Sequence, residues 1–393
     1  MHYVMFQPTF AATPYDLHVD KGQLPLRLAQ RAGWRVTVAA TAVYRLPGGL
    51  GSVGMGEGRW NSLRCIWRIA GDTDVLQLHN FSWRCLARAV VYKLRNPRGV
   101  CYLRLSGSTA ATLARDIGRL QHPAYRLLLR LGLPSIDLIS SESRGLLERF
   151  EAFTRRAGLR RMPARLIVSS CGFPPDEVLP RLQSGPSGTD ILFVGRLGAP
   201  EKALNVLLSA FQQLREQRGV PATLRLVGDG GPAFEEQFAR WAAGVATATA
   251  HAVSCPGATW DREALLRHYL DARVFVICSR MESGPNVFVE AASAGCLLTG
   301  TPVGMVPDVC DAVGTGWITP VGDAHALAEA LAAALRAPDS LEARRERIRR
   351  FNAAYSWPDT VDRLAAQLED LSRAKRGGGG RARVRAPHAA SGS

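Results

Sequence analysis

Short β-rich runs alternate with longer stretches of helical periodicity along most of this chain, and no other feature limits its fold as strongly. Where each strand is followed by a helix before the next strand, the strands pair in parallel and helices cover the sheet. In the first half the expected strands are residues 3–7, 35–39, 74–79, 100–105, 137–140 and 165–168. Between the first two, PLRLAQRAG sets its apolar residues on one helical face and stops at a glycine. The stretch 46–58, LPGGLGSVGMGEG, is too glycine-rich for a regular element and is expected to be a mobile loop.

A second series starts after QSGPSGTD, residues 183–190, which reads as a linker. ILFVGRL restarts the alternation, with further strands expected at 224–227, 252–255, 274–277 and 297–300. Helices are expected at 203–218, 232–242, 262–270, 285–294 and 324–335. The expectation is two similar α/β domains, 1–184 and 185–372, facing each other across a cleft, followed by a flexible basic tail, 373–393. In open parallel sheets ligands bind beyond the carboxyl ends of the strands, so the loops there are the place to look for chemistry.

Charge is distributed unevenly. The first 184 residues hold 26 Lys and Arg against 12 Asp and Glu, and the tail holds six basic residues and no acidic one. A cationic first half favours a polyanionic partner, whether lipid headgroups, acidic glycan or nucleic acid; solvated arginine-rich faces are the plainer reading. With 47% apolar and 21% charged residues, a wholly disordered or fibrous chain is excluded. No run reaches the about 18 apolar residues of a membrane span, and MHYVMFQPTF resembles no secretory leader, so a cytoplasmic location is expected. The eight cysteines are spaced singly without a CxxC pair, and all are expected to be buried free thiols.

Two blocks carry chemistry. In ILFVGRLGAPEKALNVLLSAF a buried strand runs into Gly195 and Arg196, and Lys202 stands where an amphipathic helix opens. Two cations beside free backbone amides form a receptor for a phosphate or diphosphate. In CSRMESGPNVFVEAASAGC a strand ends in a loop with Glu282 and Gly284, and a helix opens near Pro285. Glu290 follows Glu282 by eight residues, about one turn inside that helix, so both carboxylates can line one cleft while the amides of Gly284, Asn286 and Val287 point at a ligand. Carboxylates suit sugar hydroxyls and ribose diols, and N-terminal amides suit phosphates.

The succession GRL…EK, LRLVGDG, ESGPNVFVEAASAG, TGTPVGMVPDV and GTGWITPVGDAHALAEAL resembles the donor domain of a retaining glycosyltransferase of GT-B fold, glycosyltransferase family 4. The resemblance implies two Rossmann-like domains, a UDP- or GDP-sugar as donor, and no metal or other cofactor. It implies that Arg196 and Lys202 neutralise the diphosphate, that Glu282 contacts the donor sugar and that Glu290 holds the ribose. Gly195 and Gly228 would admit close backbone approach, and backbone near Ala258 would meet the base. The family's usual glycine after the lysine is Ala203 here. In the first half, HVDKGQLPLRLAQRAG is similar to the family's first loop and helix, with Gly22 near the donor phosphate. His79 ends a strand as in the family, and Ser106 and Ser108 stand where relatives often carry His or Asp.

The implied function is transfer of a hexose or N-acetylhexosamine to a glycan or lipid-linked acceptor with no nucleic acid partner, and the cationic first half points to an acceptor held at an anionic membrane in bacterial envelope or exopolysaccharide synthesis. A related epimerase or phosphorylase would share the fold, and a non-catalytic polyanion-binding protein would share the charge. Asp72-Thr-Asp74 forms a DxD such as metal-dependent transferases use, but it precedes a strand rather than following one.

Overall fold

The computed structural model describes residues 1–377 except 14–16, 18–19, 59, 160–161, 169–170, 183–188 and 283. The chain divides into two compact units. The first holds Met1–Ser141, Leu147–Val168 and the C-terminal helix from Pro358; the second holds Glu142–Leu146 and Ser169–Trp357.

Up to residue 167 the elements are β1 (His2–Phe6), α1 (Asp20–Ala32), β2 (Arg35–Ala40), β3 (Gly51–Gly54), α2 (Asn61–Ala70), β4 (Val75–His79), α3 (Trp83–Arg95), β5 (Val100–Leu105), α4 (Gly107–Ile117), α5 (Pro123–Gly132), β6 (Leu138–Ser141), α6 (Arg144–Arg156) and β7 (Ala164–Ile167). The seven strands form one parallel sheet in the order β3-β2-β1-β4-β5-β6-β7.

β3 corrects the expected mobile loop at 46–58. It is an edge strand, paired in parallel from Thr37↔Gly51 to Ala40↔Gly54. A Cβ on Gly51 would come within 3.0 Å of Thr37 Oγ1, and one on Gly54 within 3.0 Å of a Val43 methyl. The glycines that argued against an element let this edge lie close to β2 at Gly51 and to the segment following β2 at Gly54.

The second part comprises α7 (Pro175–Val178), β8 (Thr189–Val194), α8 (Leu204–Gln212), β9 (Leu224–Val227), α9 (Gly231–Ala243), α10 (Thr247–Ala250), β10 (Val253–Gly257), α11 (Arg262–Asp271), β11 (Ala272–Ile277), α12 (Asn286–Ser293), β12 (Leu297–Gly300), α13 (Val306–Val313), β13 (Trp317–Ile318), α14 (Ala324–Arg336), α15 (Leu341–Tyr355) and α16 (Trp357–Arg376). Its strands are also all parallel, in the order β10-β9-β8-β11-β12-β13. Ile191, Phe193, Val274 and Val276 join one core with α8 and α14, while Leu192, Phe275 and Ile277 join another with α12 and α15. Burial on both faces is why these strands read as continuous apolar runs rather than alternating ones. Two all-parallel α/β units are the architecture that the resemblance implied.

The division between units differs from the sequence reading, which placed boundaries after 184 and 372. β7 completes the first sheet, and Phe173, Val178 and Leu182 then enter the core built on Leu192 and Phe275. The second crossing comes at Pro358, because α16 returns to the first unit. There Asp362 receives a two-pronged bond from Arg31, Lys375 pairs with Asp137 at 2.9 Å and Arg376 with Asp74 at 2.6 Å. Residues 373–376, expected in the tail, are thus helical; 378–393 lie outside the described residues. All eight cysteines are free, but Cys255 is exposed, against expectation, because it sits on the edge strand β10.

Candidate functional site

Counted from β8, the second sheet has the order 3-2-1-4-5-6, and the winding reverses between β8 and β11, which are neighbours. A crevice forms at the carboxyl ends of the two strands flanking such a reversal. The two chemistry-bearing blocks of the sequence are the loops that follow these two strands.

After β8, the Gly195 N–H donates to Val227 at 2.9 Å and the Leu197 N–H to Asp229 at 2.8 Å. A Cβ on Gly228 would lie 1.7 Å from the Gly195 carbonyl oxygen, so glycine at 228 is what lets the ends of β8 and β9 close on each other. A 3-10 turn, Pro200–Lys202, leads to Ala203, whose φ of 52° is left-handed. That conformation suits glycine, which the resemblance gives at this position, and it delays the start of α8 to Leu204. The expected helix 203–218 is therefore shorter in its α-helical part, ending at Gln212 and continuing as a π-helical turn to Gln217.

Lys202 Nζ donates to Glu282 Oε1 at 2.5 Å, and Ser279 Oγ donates to the same oxygen at 3.0 Å. Both ends of the ion pair are largely buried, with 13% and 16% of their side-chain surface exposed. The loops are latched below it: the Arg280 N–H donates to Glu201 O at 2.7 Å and the Cys278 thiol to Lys202 O at 3.1 Å. Arg196 pairs with Glu201 and leaves 73% of its side chain exposed.

α12 opens at Asn286 after Pro285, and Glu290 stands one turn inside it, as the spacing implied. Its Oε2 accepts a 2.9 Å bond from the Tyr269 hydroxyl of α11. Burial pushes the Glu290 carboxyl up to about 7, opposed by the Tyr269 bond and the charge of Arg262. Tyr269 is wedged between Phe173 and Phe275, with ring centroids 5.9 and 5.7 Å away, and Arg262 lies over the Phe173 ring at 4.3 Å. Beneath them, buried Arg344 donates to the carbonyls of Tyr269, Leu270 and Ala294 at 2.8, 2.8 and 3.1 Å. One guanidinium thereby ties the C-terminal end of α11 to that of α12.

Among the expected donor residues, Lys202 and Glu282 meet directly, while Arg196 and Glu290 hold other partners, Glu201 and Tyr269. Asn286 and Val287 form the first turn of α12, and Ala258 is exposed immediately after β10. Gly284 lies against Glu142, whose Oε2 would be 2.2 Å from a Cβ there. The sequence reading missed Glu142, Glu201, Tyr269 and Arg344. Glu142 directly follows β6, so the rule of strand carboxyl ends would have found it; no local signal marks Tyr269 or Arg344.

In the first unit, Gly22 is buried in the first turn of α1. His79 ends β4, its ring 3.1 Å from the Gln77 amide. Asn80 follows with φ 59°, and Ser106, capping α4, donates to its Oδ1 at 2.6 Å. Ser108 lies in the first turn of α4, with its side chain outside the described residues. Asp72 and Asp74 stand at the opposite end of β4, where Arg35 and His2 engage Asp72 and the His2 N–H and Arg376 engage Asp74. Their work there is structural.

Residues 188–337 match the family model described as glycosyl transferases group 1. The chain is 31% identical over 237 residues to the putative colanic acid biosynthesis glycosyltransferase WcaL of Escherichia coli K12, a match covering 56% of this chain and 52% of that protein. It thus spans about half the length of that relative. Among solved structures, HepE of Anabaena in complex with UDP superposes with a TM-score of 0.68 at 14% identity, covering 94% of this chain and all of that one. A sucrose-phosphate synthase of Thermosynechococcus elongatus gives 0.66 at 17% identity, covering 95% and 99%. The trehalose 6-phosphate synthase of Burkholderia multivorans gives 0.69 at 13%, covering 97% and 99%. At these identities the likeness is one of fold, and the fold is that of GT-B glycosyltransferases.

Proposed function

We propose that this protein is a retaining glycosyltransferase of family 4 that moves a hexose or N-acetylhexosamine from a UDP- or GDP-sugar to a glycan or lipid-linked acceptor. The observation that carries the reading is the Lys202–Glu282 pair at the winding reversal of the second sheet, inside the segment that matches the family model. The UDP named with HepE supports a nucleotide-sugar donor. The colanic acid biosynthesis named for WcaL supports an acceptor in polysaccharide synthesis.

In the proposed reaction the bond between the anomeric carbon and the diphosphate oxygen breaks, and its electron pair stays on that oxygen. The acceptor hydroxyl attacks from the face that the diphosphate vacates, which retains configuration, and its proton passes to the departing phosphate. Exposed Arg196 exchanges Glu201 for a phosphate oxygen, while Lys202 shares its ammonium between Glu282 and the diphosphate. Glu282 accepts bonds from sugar hydroxyls, Glu290 from the ribose, and the first amides of α12 add partial positive charge. Charge on the leaving group is met by these groups, so no metal is required and a chelator should leave the rate unaltered.

Thermal unfolding with UDP- and GDP-sugars tests the donor, because a ligand of the native state raises Tm. One nucleotide series should raise it in wild type, and K202A should abolish the rise. An equal rise in K202A and R196A would refute the assigned diphosphate site.

A further inference from the structure

Helices α2, α3 and α5 lie side by side on the first unit, α2 against α3 and α3 against α5. Residues 60–71, 83–99 and 118–132, which form these helices and their flanks, contain ten Lys or Arg and no Asp or Glu. Lys93 is paired with Asp137 and Arg119 with Asp116. Water-facing helices of a soluble domain usually intersperse both signs of charge, so the eight other arginines, with no acid on these helices, make the face cationic. The face is also apolar at its surface. Leu127 and Leu131 are more than half exposed and one turn apart on α5, flanked by exposed Arg126 and Arg130 at the same spacing. Trp67, Trp83 and Leu94 add exposed apolar side chains on α2 and α3. No ion pair engages Arg84, Arg126 or Arg130 among the described residues.

We infer that this three-helix face docks on an anionic lipid bilayer, with its arginines among the headgroup phosphates and its leucines and tryptophans in the upper acyl region. Tryptophan and arginine are suited to that boundary, since each joins an apolar body to a polar or charged tip. The exposed leucines decide against nucleic acid, whose grooves and phosphates would leave them in water. The inference stands apart from the sugar-transfer reading, because docking requires neither donor nor turnover.

Flotation of the full-length protein with vesicles, without nucleotide, tests it. Wild type should bind phosphatidylcholine vesicles containing about 30% phosphatidylglycerol and not pure phosphatidylcholine, with binding falling at least about tenfold in about 0.5 M salt. The triple variant R84E/R126E/R130E should lose about tenfold in partitioning, and L127S/L131S, which keeps the charge, about threefold. Unchanged Tm in each variant serves as the folding control, and these exposed positions leave the cores untouched. Equal binding to both vesicle types, undiminished binding by both variants, or retention of oligonucleotides without vesicle binding would each overturn the assignment.

Discussion

Glu290 accepts a bond from Tyr269, and of the two it is the carboxyl whose protonation changes near neutrality, burial holding the Tyr269 hydroxyl well above its usual range. Burial pushes the Glu290 carboxyl up to about 7, so the ribose hydroxyls proposed to donate to it should bind better as pH rises through that value. Nucleotide affinity should accordingly improve several-fold between about pH 6 and about pH 8 by calorimetry, and E290Q should flatten the profile. In Y269F the bond that opposes the upward shift is gone, so the midpoint should move to higher pH; an unmoved midpoint would separate Glu290 from this titration. Stability takes the opposite sign. Between 4.5 and about 7 the unfolded chain releases a proton that folded Glu290 keeps, so its contribution to stability declines as pH rises across that window.

The elements show a second dependence, of helix ends on one buried cation. R344M would leave three carbonyls at the ends of α11 and α12 without their donor, at a cost of about 3–5 kcal/mol seen as a lowered denaturation midpoint. G228A should splay the β8 and β9 loops, and its nucleotide affinity should fall together with its stability, measured by calorimetry and denaturant titration. Strands such as ILFV and VFVI were legible in the sequence because burial on both faces demands unbroken apolar runs. β3 was not, since GSVG owes its place to the lack of side chains beside β2, and neither was β13, which has only two residues. At the candidate site, the placement of Arg196, Lys202, Glu282 and Glu290 was legible because each follows a strand or lies near the start of a helix, while their roles toward a donor remain proposed. Tyr269 and Arg344 were not, because they matter through partners 21 and 50 or more residues away that only tertiary contact supplies.

For the whole molecule, the return of α16 to the first unit makes that unit discontinuous in sequence. Val361, Leu364 and Leu368 are buried along this helix. Deleting residues from 358 onward should lower the first unit's unfolding temperature by many degrees, read by calorimetry, while the second unit's transition shifts little. Composition by halves could not foresee this, because the crossing depends on where α16 packs rather than on any linker-like residues. The cysteines follow the same partition, with Cys65, Cys85 and Cys101 shielded in one unit and Cys171, Cys278, Cys296 and Cys310 in the other. Each half thus carries its own set of sequestered sulfhydryls, and their alkylation under rising denaturant, mapped by mass, would give two separate melting records from a chain without any attached dye.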